Sequence, residues 1–252
     1  MTIAAARMLK SGTVCFVGIG LPSAAANLAR LTHAPDVVLI YESGTIGAKP
    51  AILPLSIGDG ELAESADTVV SVPEVFRYWL QAGRVDVGFL GAAQIDKFGN
   101  INTTTIGGSY EKPKVRLPGA GGAPEIATAA KHVNIILKQS KRNFVEKLDF
   151  VTSSGLYEDA KGSSNVSKRG RGPTTVITDL GIMAATPGCR ELVLQSVHPG
   201  VTVEQVKEAT GWNLRFADHV RQTPAPTTQE LAALRDLHAR SAAAHGTVAT
   251  SE

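Results

Sequence analysis

The stretch Val37-Val38-Leu39-Ile40-Tyr41-Glu42-Ser43-Gly44-Thr45-Ile46-Gly47 decides how the chain is read. Its first half is a continuous apolar run of the kind found in strands buried on both faces of a parallel sheet, which places a strand over residues 36–41. The run ends abruptly in a carboxylate, Glu42, followed by small residues. In open α/β sheets ligands bind beyond the carboxyl ends of strands, so Glu42 stands where a substrate would meet it. On position alone two readings stay open. Glu42 is a reactive carboxylate, or it caps a helix or pairs with a cation in a surface loop.

Two more glycine-bearing segments follow apolar runs. Upstream, Val14-Cys15-Phe16-Val17 reads as a short strand, then Gly18-Ile19-Gly20-Leu21-Pro22-Ser23 leads into a helix over residues 22–31. Proline fits a first helical position, since its missing N–H would be unpaired there. A glycine turn into a helix N-terminus presents backbone N–H groups to an anion, although glycine also serves such turns by geometry alone. Downstream, Gly119-Ala120-Gly121-Gly122-Ala123-Pro124-Glu125 opens a helix over residues 123–131. Small residues there let the backbone approach a ligand closely. A tight loop without a ligand is the competing reading.

Further strands are expected at residues 68–72, 85–90, 133–137, 150–152, 174–178 and 192–197. Helices are expected at 3–9, 73–81, 203–210 and 227–243, the last opened by the capping region Thr227-Thr228-Gln229-Glu230. Residues 96–118 and 156–173 are rich in small and polar residues and read as loops with short irregular strands. The alternation gives an α/β fold with an open, largely parallel sheet, flanking helices and extra short strands. A single domain over residues 1–240 is expected, with 241–252 a disordered polar tail.

Composition narrows the function. The 252 residues suffice for a sizeable core, and a net charge of +2 is too small for a nucleic-acid binder. The basic run Lys168-Arg169-Gly170-Arg171 lies in a Gly/Ser-rich stretch and reads as a solvated loop. Cys15 and Cys189, the two cysteines, are far apart, and Cys15 sits in an apolar strand as a buried thiol. The six histidines show no metal-ligand spacing. Residues 2–9 end at Lys10 without a cleavage pattern, so no signal peptide is expected. No apolar run approaches the ~20 residues that span a bilayer. A cytoplasmic setting follows.

A strand, a Gly-x-Gly turn, a helix and an acid roughly 20 residues on also outline a dinucleotide-binding module. Against it, Ser23 replaces the third glycine, and a ribose ligand leaves Ser43-Gly44-Thr45-Ile46-Gly47 unexplained.

Taken in order, Gly-Ile-Gly-Leu-Pro, Tyr-Glu-Ser-Gly-Thr-Ile-Gly and Gly-Ala-Gly-Gly-Ala resemble the glutamate-bearing β subunits of class I CoA transferases. Leu53-Pro54-Leu55-Ser56-Ile57-Gly58-Asp59 and Gly88-Phe89-Leu90-Gly91-Ala92-Ala93-Gln94-Ile95-Asp96 are similar to the glutaconate CoA-transferase type. Gly99-Asn100-Ile101-Asn102-Thr103-Thr104 and Val197-His198-Pro199-Gly200-Val201-Thr202 continue the likeness, which runs over residues 14–211.

The resemblance implies that Glu42 attacks an acyl-CoA thioester and passes through a mixed anhydride to a glutamyl-CoA thioester. It places Gly18, Gly20, Leu21, Pro22, Ser23, Ser43 and Gly44 near CoA. Gly121, Gly122 and Ala123 would supply backbone contacts to CoA and to the oxyanion near the glutamate. Lys141 or Arg142 would meet a CoA phosphate, unless both are surface residues. His198 is a functional partner or a turn histidine. Coenzyme A enters as substrate, with no tightly bound cofactor and no metal. A separate α-type subunit is implied, most simply in an α2β2 assembly. The acid stays open among glutaconate, a 3-oxoacid such as 3-oxoadipate, and other dicarboxylates. Relatives on the same fold act as decarboxylases, or as hydrolases that open a CoA-linked ring, without the transferase glutamate.

Overall fold

The structure is a computed structural model that describes residues 1–155, 172–186 and 189–246. The chain divides into two compact units. One comprises Thr2–Phe89 and Ala225–Glu252, the other Met1 and Leu90–Pro224.

The first unit runs α1 (Thr2–Ala6), β1 (Val14–Phe16), α2 (Leu21–Leu31), β2 (Val38–Ile40), β3 (Thr45–Ile46), α3 (Gly60–Glu64), β4 (Thr68–Val69), α4 (Val72–Glu74) and β5 (Val87–Leu90). Strand β1 lies between β2 and β5 and is parallel to both, with Phe16 opposite Ile40 and Gly88. Cys15, Phe16, Leu39 and Ile40 are all buried, as their unbroken apolar run demands. Strands β3 and β4 then return antiparallel beyond β2. Helix α2 buries every residue from Pro22 to Ala29. Its many alanines let it lie close to α1 and to the C-terminal helix, with which it packs.

The helix expected over residues 73–81 starts as α4 and continues as a π-helical turn, Val75–Leu80. The wider turn brings Val75 and Leu80, five residues apart, both into the core, and seats the Phe76 ring 5.7 Å from Phe16.

The second unit contains two hairpins, β6 (Gln94–Ile95) with β7 (Ile101–Asn102) and β8 (Thr105–Gly108) with β9 (Pro113–Arg116). They span residues 94–116, and three of their four strands fall in the 96–118 stretch where short irregular strands are expected. Next come α5 (Ala123–Ala129), β10 (His132–Ile136), β11 (Pro173–Ile177), β12 (Gly181–Thr186), β13 (Cys189–Val197), α6 (Val203–Glu208) and β14 (Arg215–Gln222). Strand pairs β10–β11 and β13–β14 are parallel, and β11–β12–β13 is an antiparallel meander. The fold class is therefore the expected one, an α/β sheet with flanking helices and extra short strands.

The expected strand over residues 150–152 is absent as a strand. Its place is taken by one bridge between Ile101 and Ser153, with the Thr152 N–H donating to the Ile101 carbonyl. Strand β14, Arg-Phe-Ala-Asp-His-Val-Arg-Gln, is not among the strands expected from the sequence, and most of it is exposed. Residues 156–171, including the Lys168-Arg169-Gly170-Arg171 run, lie outside the described residues.

Helix α7 (Thr228–His245) belongs to the first unit and opens with a full capping box. The Glu230 N–H donates to Thr227 Oγ1 and the Thr227 N–H to Glu230 Oε2. Gly246, at φ 65°, ends it in the left-handed conformation. The helix extends into the stretch expected as a tail, and Ser241 is buried, its Oγ accepting from the Leu53 N–H at 2.8 Å. Residues 247–252 lie outside the described residues.

Candidate active site

Because β1 and β2 are parallel neighbours, the Gly18–Gly20 turn and Glu42 leave the sheet at the same carboxyl edge. Glu42 and Ser43 occupy the central positions of a tight turn. The Gly44 N–H donates to the Tyr41 carbonyl at 3.0 Å, and the Tyr41 N–H donates to the Thr45 carbonyl at 3.1 Å. Gly44 has φ 105°, and a Cβ there would stand 2.0 Å from the Val70 carbonyl oxygen. Gly47, at φ 69°, would place a Cβ 2.2 Å from the Asp67 carboxylate. Both glycines are therefore required by the closeness of β4, which accounts for the Ser-Gly-Thr-Ile-Gly spacing after the glutamate.

Glu42 itself is half-buried, and no hydrogen bond or ion pair engages its carboxylate among the described residues. A capping or ion-paired glutamate would show such a partner. The hydroxyls of Ser43 and Thr45, on either side of Gly44, are buried and have no hydrogen-bond partner among the described residues. Gly20 is exposed, with φ 81°, and is the N-cap of α2 without a side-chain cap. Gly18 and Leu21 are half-buried. Pro22 and Ser23, the remaining residues of that segment, are buried in the first turn of α2.

The Ser23 hydroxyl is occupied by Tyr41. Their oxygens lie 3.0 Å apart, and Asn27 Nδ2 donates to the Tyr41 hydroxyl at 3.2 Å and to the Ser23 carbonyl at 3.0 Å. Arg30 extends the chain of contacts, donating to Asn27 Oδ1 and, at 2.7 Å, to the Pro50 carbonyl. Burial raises the ionisation of the Tyr41 phenol above its usual range, partly offset by the bonds from Ser23 and Asn27. The sequence alone does not single out Tyr41, Asn27 or Thr45. The signal it carries for them is polar side chains in otherwise apolar elements.

The second unit holds the other residues singled out from sequence. Gly119, at φ 104°, is pinned by its N–H to the Thr103 carbonyl and by Thr103 Oγ1 donating to its own carbonyl at 2.7 Å. Gly121, at φ 48°, is exposed, Gly122 is the buried N-cap of α5, and Ala123 is half-buried. Lys141 and Arg142 are exposed, Lys141 on a shallow depression of about 510 Å³ shared with Gln139, Gln205 and Glu208. His198 is buried with both ring nitrogens engaged, Nε2 at 2.8 Å from the Thr178 carbonyl and Nδ1 at 2.7 Å from Thr223 Oγ1. Both ring nitrogens are thus taken up by contacts within the chain. No cluster of three potential metal ligands occurs among the described residues, and none of their helices is long and apolar enough to cross a membrane.

The Coenzyme A transferase family model matches residues 1–209. The chain belongs to the coenzyme A transferase family. This transferase chain is 68% identical to the B-type chain of 3-oxoadipate CoA-transferase from Pseudomonas knackmussii, over 98% of its own length and 94% of the relative's. The crystal structure of glutaconate coenzyme A-transferase from Acidaminococcus fermentans is similar at a TM-score of 0.82 and 31% identity, covering 93% of this chain and 91% of the other. The decarboxylase AibA/AibB matches at a TM-score of 0.82 and 26% identity, over 98% and 96% of the two chains. Fold and family thus agree on a CoA-transferase subunit, and the dinucleotide-module reading is set aside.

Proposed function

We propose that this chain is the glutamate-bearing subunit of an enzyme that moves CoA between a small acyl-CoA and a 3-oxo dicarboxylate, with Glu42 as the covalent nucleophile. One observation carries the reading: Glu42 sits at the tip of a rigid turn beyond a parallel strand, half-exposed and without a partner among the described residues. The identity to the B-type chain of a 3-oxoadipate enzyme supports the choice of acid and an A-type partner; α2β2 is the simplest assembly of the two. Free Cys15 and Cys189 are consistent with a reducing, cytoplasmic setting.

The chemistry balances without metal or redox change. The Glu42 carboxylate attacks the thioester carbonyl and expels CoA thiolate, leaving an acyl-glutamyl anhydride. The thiolate attacks the glutamyl carbonyl, releasing the first acid and forming a glutamyl-CoA thioester. An incoming carboxylate attacks that thioester, expelling thiolate and forming a second anhydride. Thiolate then attacks its acyl carbonyl, giving the new acyl-CoA and free Glu42. A carboxylate nucleophile preserves the acyl energy as anhydride or thioester throughout. Backbone donors must stabilise each oxyanion, and water must be excluded.

Gly18, Gly20 and Leu21, half-buried or exposed, are proposed to bear on CoA. Pro22 and Ser23 act by shape. Ser43 and Gly44 set the turn, and Gly121, Gly122 and Ala123 are proposed to give backbone contacts to CoA.

Co-expression with the A-type partner and a transfer assay with succinyl-CoA and either 3-oxoadipate or glutaconate tests this. Transfer to the 3-oxo acid, reduced at least ~10³-fold by Glu42→Ala, is the expected result. Net thioester hydrolysis, or loss of carbon dioxide, with the Glu42→Ala protein still active would move the chain to the hydrolase or decarboxylase chemistry of other members of its fold.

A further inference from the structure

The residue before Glu42 has more ties than packing requires. Tyr41 is fully buried and closes the turn with both of its main-chain polar groups, accepting from Gly44 and donating to Thr45. Its side chain leaves the sheet and is held at its far end by Ser23 and Asn27 on α2. Asn27 is steadied in turn by Arg30, which grips the Pro50 carbonyl. The Glu42 backbone is therefore fixed at one end by the Tyr41 phenol and at the other by Gly44 against Val70.

We propose that Tyr41 is the positioning residue for Glu42, its buried hydroxyl locking the nucleophile turn to helix α2. The inference rests on Glu42 being the nucleophile. A buried tyrosine hydroxyl ordinarily finds some partner. What distinguishes this one is that its partners lie on the helix that follows Gly18–Gly20, so the two glycine segments at one sheet edge are held in register by side-chain bonds. Covalent attack depends steeply on such register, because a displacement of about 1 Å costs on the order of 100-fold in rate. Tyr41→Phe keeps the ring and its packing and removes only the tie. Ser23 Oγ retains the Asn27 amide at 3.4 Å, so the core is not left with a wholly unpartnered hydroxyl.

The test uses the assembled complex, in a single turnover of acyl-CoA without acceptor acid. Tyr41→Phe is expected to lower the limiting rate of Glu42 acylation about 10- to 100-fold, with half-saturation by acyl-CoA within about twofold of wild type and little change in melting temperature. Ser23→Ala should slow the step in the same direction, and the double variant should be no slower than Tyr41→Phe, because both remove one bond. A merely structural tyrosine would lower melting temperature or yield and leave the rate per folded complex unchanged, which overturns the inference. Should Tyr41→Phe fail to assemble, Ser23→Ala decides alone, and an unchanged rate overturns it. Mass mapping of wild type separates the two ideas. With Glu42 unmodified, the nucleophile reading fails and positioning goes with it. With Glu42 modified and both variants as fast as wild type, only the positioning fails.

Discussion

The Tyr41 hydroxyl lies 3.0 Å from Ser23 Oγ, and this contact joins the helix after the first glycine turn to the turn that carries Glu42. Segments 18 residues apart in sequence are thereby one object at the edge of β1 and β2. The glycines give the backbone its shape, and buried polar side chains hold that shape in place.

Gly44 is the position where a single methyl group should undo the turn. Gly44→Ala must relieve a contact with the Val70 carbonyl at 2.0 Å and an unfavourable φ of 105°. Destabilisation by about 2–4 kcal/mol is expected, with activity lost even where the protein remains folded. Urea denaturation measures the first and the transfer assay the second. A variant as stable and active as wild type would show that the turn is not held as described.

Helix α7 is held to the turn after α1 by a fork in which Arg7 Nε and Nη2 donate to Glu230 Oε1 and Oε2 at 2.7 and 2.6 Å. Arg7 holds the Glu230 carboxyl down at about 2, helped by the Thr227 bonds of the capping box. Since the folded state favours the ionised form, this stabilisation is present above about pH 4.5 and is lost as pH falls towards 2. Glu230→Ala removes the fork and the carboxylate half of the capping box, leaving the Thr227 cap, and should cost about 1–2 kcal/mol at pH 7. The variant should also show a shallower acid transition. Equal stabilities at pH 7 would mean that the fork contributes nothing.

His198 gives a pH dependence of its own. Burial lowers its ionisation below the usual histidine value against the opposing pull of the Thr178 carbonyl and Asp179, while the N-terminal ammonium lowers it further. The unfolded chain takes up a proton near pH 6.5 that the folded chain refuses, so stability falls as pH drops through that value. Chemical denaturation at about pH 7.5 and about pH 5.5 should show this loss in wild type and a smaller one in His198→Gln. Identical losses in both would assign the effect elsewhere.

Much of this was legible in the sequence because the decisive elements are local. The apolar run ending at Ile40 reads as a buried strand, which puts Glu42 just beyond its end. The Thr227–Glu230 box announced α7. What stayed hidden depends on contacts between distant residues. That Gly44 and Gly47 answer to Val70 and Asp67 requires knowing that β4 returns beside β3. Ser23 closes a glycine turn in the sequence, and only the fold shows its hydroxyl against Tyr41. Strand β14 is exposed along much of its length and carries Arg215, Asp218 and Arg221, a polar pattern common on sheet edges and in loops alike.

The most direct test of the central claim is intact and peptide mass spectrometry of the complex after incubation with acyl-CoA and borohydride. Borohydride reduces a glutamyl-CoA thioester to an alcohol, so the account predicts that Glu42 loses one oxygen and gains two hydrogens, in step with loss of activity. If Glu42 stays unmodified while the complex consumes acyl-CoA at its normal rate, the covalent role of Glu42 is contradicted.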